Sequence, residues 1–162
     1  MAEQIPRVVF DCNVFIQGIA NRNSPARKAL RLFFDGAISL YVSHAVIREV
    51  RDVLSRPEIR HQLPGINDRI VNAFLTKLEA KAVLISNVPE EYHYERDPKD
   101  EIYINLALVS NATYIVTRDQ DLLDLATAST DVARDFRSRY PFLSKRNTLN
   151  FVAEMESREL GS

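Results

Sequence analysis

The sequence predicts an α/β domain of three layers, α/β/α, around a central and mainly parallel sheet. Three observations carry this expectation. Compact apolar and mostly β-branched runs recur along the chain, as in Arg7-Val8-Val9-Phe10 and Tyr114-Ile115-Val116; such runs belong to strands buried on both faces. Segments with apolar residues at helical spacing separate them, in the order βααβα(αα)βαβα. Each strand therefore returns through a helix, which is the connection that parallel pairing requires. Finally, 162 residues suffice for one domain with a real core. We assign 1–156 to that domain and 157–162 to a C-terminal tail, of which Gly161-Ser162 is left out of the fold.

The elements follow in order. Arg7 to Phe10 is the first strand, and Asp11 comes directly after it. Asn13, Phe15, Ile16 and Ile19 begin a short helix or turn, which Gly18 and then Asn21 to Pro25 interrupt. Ser24 caps the next helix, with Pro25 at its first position. Ala26, Ala29, Leu30 and Phe33 face inward on it, and Asp35-Gly36 stops it. Ala37 to Val42 is the second strand. Ser43 caps the helix HAVIREVRDVL, whose Val46, Ile47, Val50, Val53 and Leu54 form one apolar arc with Glu49 at its margin. Residues 58–80 form a helical excursion broken at Pro64-Gly65, and Ala82 to Ile85 is the third strand. An acidic loop over 87–96 leads to Asp97, an N-cap with Pro98 at the first helical position. From Ile102 to Val109 only Asn105 interrupts an apolar helix, so this helix is buried on every side. Tyr114 to Val116 follows as a strand, then the turn Thr117-Arg118-Asp119 and a short helix over Gln120 to Leu125. The stretch 126–146 carries the weakest pattern: a helix around Val132 to Tyr140, the break at Pro141 and a last strand near Phe142-Leu143. Thr148 starts the closing helix.

Bulk properties exclude several classes. A net charge of −1 provides no global field for a nucleic acid or a membrane. The single cysteine, Cys12, rules out an intramolecular disulfide framework and suits a reducing compartment. No run reaches the ~18 apolar residues of a membrane span, and the N-terminus lacks the apolar core of a signal peptide. A cytoplasmic protein with no membrane association is expected.

The chemistry candidates are Asp11, Glu49, Asp100 and Asp119. Each has a plain structural reading: an Asx turn, a solvated helix acid, half of a capping box and an N-cap, respectively. Their placement points further. Asp11 and Asp119 both follow buried strands, at the carboxyl edge where parallel sheets bind ligands, and the other two lie where helices meet the sheet. Carboxylates gathered together raise one another's pKa and destabilise the fold unless a cation neutralises them. Ligands that are all oxygen select a hard ion, Mg²⁺ or Mn²⁺. Cys12, His44, His61 and His93 lack the spacing of a zinc site.

Taken together, VVFDCNVFI, Glu49 in its helix, DPKDEIYINLAL and YIVTRDQDLL resemble the PIN domain family over roughly residues 7–125. The resemblance extends to the branch that supplies the toxins of toxin–antitoxin pairs. It implies a divalent-metal-dependent endoribonuclease that cuts single-stranded RNA with water, leaving a 5′-phosphate and a 3′-hydroxyl. Asp11, Glu49, Asp100 and Asp119 match the family's catalytic and metal-binding acids. Asn13 and Thr117 match its supporting polar positions, and Asp97 fits an extra acid. An antitoxin protein and a homodimer are the partners this implies. For the dimer, Phe15, Ile16 and Phe33 are candidates, with core burial as their alternative role. The rival reading is a non-catalytic PIN-like module that binds RNA or protein. A haloacid-dehalogenase-type phosphatase fits less well, because Asn13 stands where it needs a second aspartate.

Cations for an RNA strand are available locally. Residues 21–60 hold eight basic and four acidic side chains, and residues 131–146 hold five and two. Of these and the site's own turn, Arg22, Arg48 and Arg118 are the candidates for backbone contacts. Tyr92 and Tyr94 are either stacking platforms for bases or loop packing.

Overall fold

The fold was analysed in a computed structural model, which describes residues 4–160. Five strands form one sheet in the order β3-β2-β1-β4-β5, with every pair parallel. They are β1 (Arg7–Phe10), β2 (Ser39–Ser43), β3 (Val83–Ile85), β4 (Tyr114–Val116) and β5 (Ser144–Arg146). The helices are α1 (Cys12–Ala20), α2 (Pro25–Phe34), α3 (His44–Leu54), α4 (Pro57–Gln62), α5 (Asp68–Lys81), α6 (Glu101–Val109), α7 (Gln120–Thr127), α8 (Asp131–Arg139) and α9 (Thr148–Leu160). The three-layer α/β/α architecture read from the sequence is the one observed. The strand order reverses at β1, whose neighbours are β2 on one side and β4 on the other. That reversal opens a crevice beyond the carboxyl ends of β1 and β4.

The central strands are fully buried, with Val8, Val9, Ile115 and Val116 all at 0% exposure. Phe10 meets Phe15 of α1 and Phe151 of α9 edge-on, at 5.7 and 6.2 Å between ring centroids. On α6 every residue from Tyr103 to Leu108 is buried, as its unbroken apolar sequence requires. Asn105 is the polar member of that run, and it has a structural task. Its Oδ1 accepts from the backbone amides of Glu91 and Tyr92, at 3.2 and 2.8 Å, and its Nδ2 donates to the Tyr92 carbonyl. A buried amide with its hydrogen bonds made anchors the 87–96 loop rather than penalising the core.

Several expectations are corrected. Helix α1 runs through Gly18 instead of stopping there. A Cβ at Gly18 would run into Leu30 Cδ1 and lie 3.2 Å from the Ala26 carbonyl, so the glycine lets α2 pack closely on α1. Gly36, at φ 81°, does end α2, in the left-handed region that glycine tolerates best. The last strand is Ser144–Arg146 rather than Phe142-Leu143. Pairing fixes it, because the Ser144 amide donates to the Thr113 carbonyl and Ile115 stands beside Lys145. The closing helix continues to Leu160, so residues 157–160 extend it; Gly161-Ser162 lie outside the described residues. Phe15, Ile16 and Phe33 are core residues at 0, 6 and 1% exposure, which removes them as a dimer face. Tyr92 and Tyr94 are also buried, with Tyr92 edge-on to Phe136 at 4.8 Å, so loop packing is their role.

Candidate metal centre at the carboxyl edge

The crevice between β1 and β4 is where the predicted acids meet. Asp11 leaves β1 and caps α1, its Oδ1 accepting from the Val14 amide at 3.2 Å. Its other oxygen accepts from the Thr117 hydroxyl. That same Thr117 oxygen accepts from the Asp119 amide at 2.9 Å. One hydroxyl, fully buried at the end of β4, thus ties the Asp11 carboxylate to the turn that presents Asp119. Asp119 in turn caps α7 by accepting from the Asp121 amide at 2.8 Å. The plain reading of Asp119 as a cap is therefore correct, whereas Asp11, read as an Asx turn, is instead the N-cap of α1; a cap uses only part of a carboxylate's accepting capacity.

Asp100 sits where a 3-10 turn over Pro98–Asp100 passes into α6. The turn is capped by Asp97, whose Oδ1 accepts from the Lys99 amide at 3.2 Å. Asp100 makes no such cap bond. It is 5% exposed, and its Oδ2 has no hydrogen-bond partner. An orphaned oxygen on a buried acid is costly. Burial first, and then the charges of Asp119 and Asp97, push the Asp100 carboxyl up to about 8. Asp11 is pushed up to about 6 by burial, with Asp119's charge adding and the bonds from Thr117, Val14 and Arg118 opposing.

The tightest group is formed by Asp97, Asp100, Asp119 and Asp121, with one carboxylate oxygen from each lying within 4.8 Å of all the others. Of the acids singled out from the sequence, Asp100 and Asp119 belong to it, and so does Asp97, read there as an extra acid. Asp11 stands against it, bonded through Thr117. Glu49 is outside the group: its Oε2 accepts from the Tyr103 hydroxyl at 2.9 Å. Asn13 is exposed on the first turn of α1. Asp121 was not singled out in the sequence, although its position two residues after Asp119 in TRDQD was a usable signal. Arg96 was also missed. Its Nε lies 2.6 Å from Asp121 Oδ1 and its terminal nitrogen 2.8 Å from Asp124 Oδ2. Cys12 is buried, and burial followed by the charges of Glu49 and Asp11 pushes its thiol up to about 12.

The donor set fits a hard divalent cation. Carboxylate oxygens crowd together, one of them buried without a partner, and a cation would satisfy it. Outside the site, many of the cations counted in the sequence act as fasteners. Arg137 donates to the carbonyls of Leu125 and Ala128, Arg134 pairs with Asp131 and Arg146 with Glu154, and Lys145 is buried. Much of the +3 excess over 131–146 is therefore engaged in the fold, whereas Arg22, Arg48 and Arg118 are exposed and in no ion pair among the described residues.

A strand-end acid, a buried aspartate opening the central helix and a second acid turn thus meet across a topological switch point. The PIN domain matches residues 7–121, and the chain belongs to the PIN domain family. Members are generally nucleases that use divalent metals, so a nucleic acid is the implied substrate. The chain is also similar to an uncharacterized protein of Methanocaldococcus jannaschii, 35% identical over 119 residues, which are 74% of each chain. Among the described residues no helix is long and apolar enough to cross a membrane.

Proposed function

We propose that this protein is a divalent-metal-dependent endoribonuclease that cuts single-stranded RNA, with Mg²⁺ or Mn²⁺ as its ion. The observation that carries the reading is the buried, unpartnered oxygen of Asp100 inside a set of four mutually adjacent carboxylates. Asp97, Asp100, Asp119 and Asp121 would hold the ion, with Asp11 behind them. Bound there, a divalent ion supplies Lewis-acid charge for the phosphate and activation of the attacking water. The chain's own groups do the rest. Thr117 fixes the orientation of Asp11 and of the Asp119 turn. Arg96 holds Asp121 from the outside, and Asn105 anchors the loop that carries Arg96 and Asp97. Without a cation Asp100 keeps a proton near neutral pH, which lowers the repulsion among the acids until that proton is displaced.

Membership of the toxin branch is the narrower form of this reading and rests on motif resemblance. A small DNA-binding protein encoded next to this gene, co-purifying with the chain, would support it. Self-association is tested by sedimentation at micromolar concentration.

The decisive experiment is cleavage of an end-labelled single-stranded RNA. Internal cuts with 5′-phosphate and 3′-hydroxyl ends are expected with Mn²⁺ and none in excess EDTA. Equal cutting in EDTA would remove the ion from the mechanism. RNA bound but uncut with Mn²⁺ would favour the binding module, and phosphate release from small phosphomonoesters without internal cuts would favour a phosphatase.

A further inference from the structure

The carboxyl edge of the sheet carries a second feature of opposite polarity. A cleft of about 500 Å³ opens where α2 and α9 begin, and Gln17 and Arg118 help to line it. No carboxylate lines it. Neither α2 nor α9 has an acidic residue in its first turn, so the positive ends of both helix dipoles face the cleft uncompensated. The caps use only some of the available groups. Ser24 Oγ accepts from the Arg27 amide, and Asn147 Oδ1 accepts from the Asn150 amide. The amides of Ala26, Thr148 and Leu149, at the first two positions of their helices, lack an intrahelical acceptor. Thr148 is 5% exposed, yet its hydroxyl has no hydrogen-bond partner. Arg118 is exposed and forms no ion pair among the described residues.

We infer that this cleft binds a backbone phosphate of the RNA strand, on a nucleotide neighbouring the one whose phosphate lies on the carboxylates. The inference rests on the nuclease reading. The two features share one turn, because Arg118 lies between Thr117 and Asp119. They also share one helix: Gln17 lies ~9 Å beyond Asp11 along α1 at the helical rise. Buried donors, two helix N-termini and a guanidinium, with no acid among them, suit a tetrahedral anion. A strand running from the acids into the cleft would be repelled at one phosphate and held at the next. The cleft therefore supplies affinity that does not depend on the ion, and the ion supplies the rest.

The test is equilibrium binding of a fluorescent single-stranded hexanucleotide to the full chain in excess EDTA, where cutting is absent. One linkage at a time is replaced by a neutral methylphosphonate. We expect one linkage to weaken binding several-fold while its neighbours do little. Arg118→Ala should abolish that sensitivity and reduce the slope of log affinity against log salt by about 0.7, the value for one phosphate contact on a single strand. Thr148→Val should weaken binding as well while melting no lower than wild type, because its hydroxyl has no bond to lose. A uniform response at every linkage, or binding by both variants that equals wild type, overturns the inference. So does RNA that is cut with Mn²⁺ yet not bound in EDTA, a result that leaves the nuclease reading intact. RNA held through one sensitive linkage but never cut keeps the phosphate cleft and removes the nuclease reading.

Discussion

Asp100 and Glu49 are both helix carboxylates beside the same crevice, yet their surroundings differ. Asp100 is buried at the start of α6 among three other aspartates, with an oxygen that nothing satisfies. Glu49 lies on α3, half-buried, and its carboxylate is held by the Tyr103 hydroxyl. The first arrangement leaves a buried oxygen unsatisfied, and the second does not. Proximity in a family motif and proximity in space are therefore different properties, and the crowding of carboxylates is concentrated on the α6 side.

The largest expected effect follows directly. Asp100→Asn should abolish RNA cleavage while preserving or raising the metal-free melting temperature, because it removes one charge of a repelling set. A variant that melts lower without metal and still cuts RNA would make Asp100 a structural residue.

The second effect is on stability against pH. In the folded protein Asp100 titrates at about 8 and Asp11 at about 6, both above the ordinary 3.8. Raised acids favour the protonated folded state, so their stabilisation is complete below about pH 4. It declines as pH rises, through about 6 for Asp11 and about 8 for Asp100. The metal-free melting temperature should fall across that window, and Mn²⁺ should restore it at the alkaline end. Asp100→Asn should flatten the upper part of the decline. A wild-type curve flat from pH 4 to 8 would contradict the burial of these acids.

Thr117→Val comes next. It keeps the shape of the side chain but removes the hydroxyl that joins Asp11 to the Asp119 turn. Loss of such a supporting group typically costs about 10–100-fold in metal affinity or activity. Calorimetric titration with Mn²⁺ reads this directly, and unchanged affinity would show that Asp11 needs no orientation.

Asp97→Asn sharpens the comparison, since it separates the cap from the ligand. Asparagine caps as well as aspartate, so the melting temperature should hardly move, while Mn²⁺ affinity should fall as one carboxylate leaves the group. Affinity equal to wild type would reduce Asp97 to a cap. The smallest change in ion affinity is expected from Glu49→Gln. A loss exceeding that of Asp97→Asn would show that Glu49 leaves Tyr103 and joins the site when the ion binds.

Much of this molecule was legible locally. The apolar runs at 8–10 and 114–116 specified central strands because no polar residue could be tolerated on either face. Ser24, Ser43, Asp97 and Pro98 marked helix starts through chemistry confined to a few neighbouring residues. The placement of Asp11, Thr117 and Asp119 at the carboxyl edge was legible for the same reason: each lies within three residues of the end of a buried strand. What tertiary structure alone decided involves partners distant in sequence. Asp97 and Asp121 come within 4.8 Å of Asp100 and Asp119 because Asn105 anchors one loop and Thr117 shapes another turn. Glu49 stays outside because Tyr103, on a different helix, offers its carboxylate a donor. The basic excess at 131–146 is largely taken up by nearby carbonyls and acids, through Leu125, Ala128, Asp131 and Glu154. The strand Ser144–Arg146 could not be read because its residues are polar, and it forms through the hydrogen bonds that β4 offers. Periodicity and capping act within a few residues of the chain, whereas carboxylate crowding and hydrogen-bond satisfaction depend on distances that only packing sets.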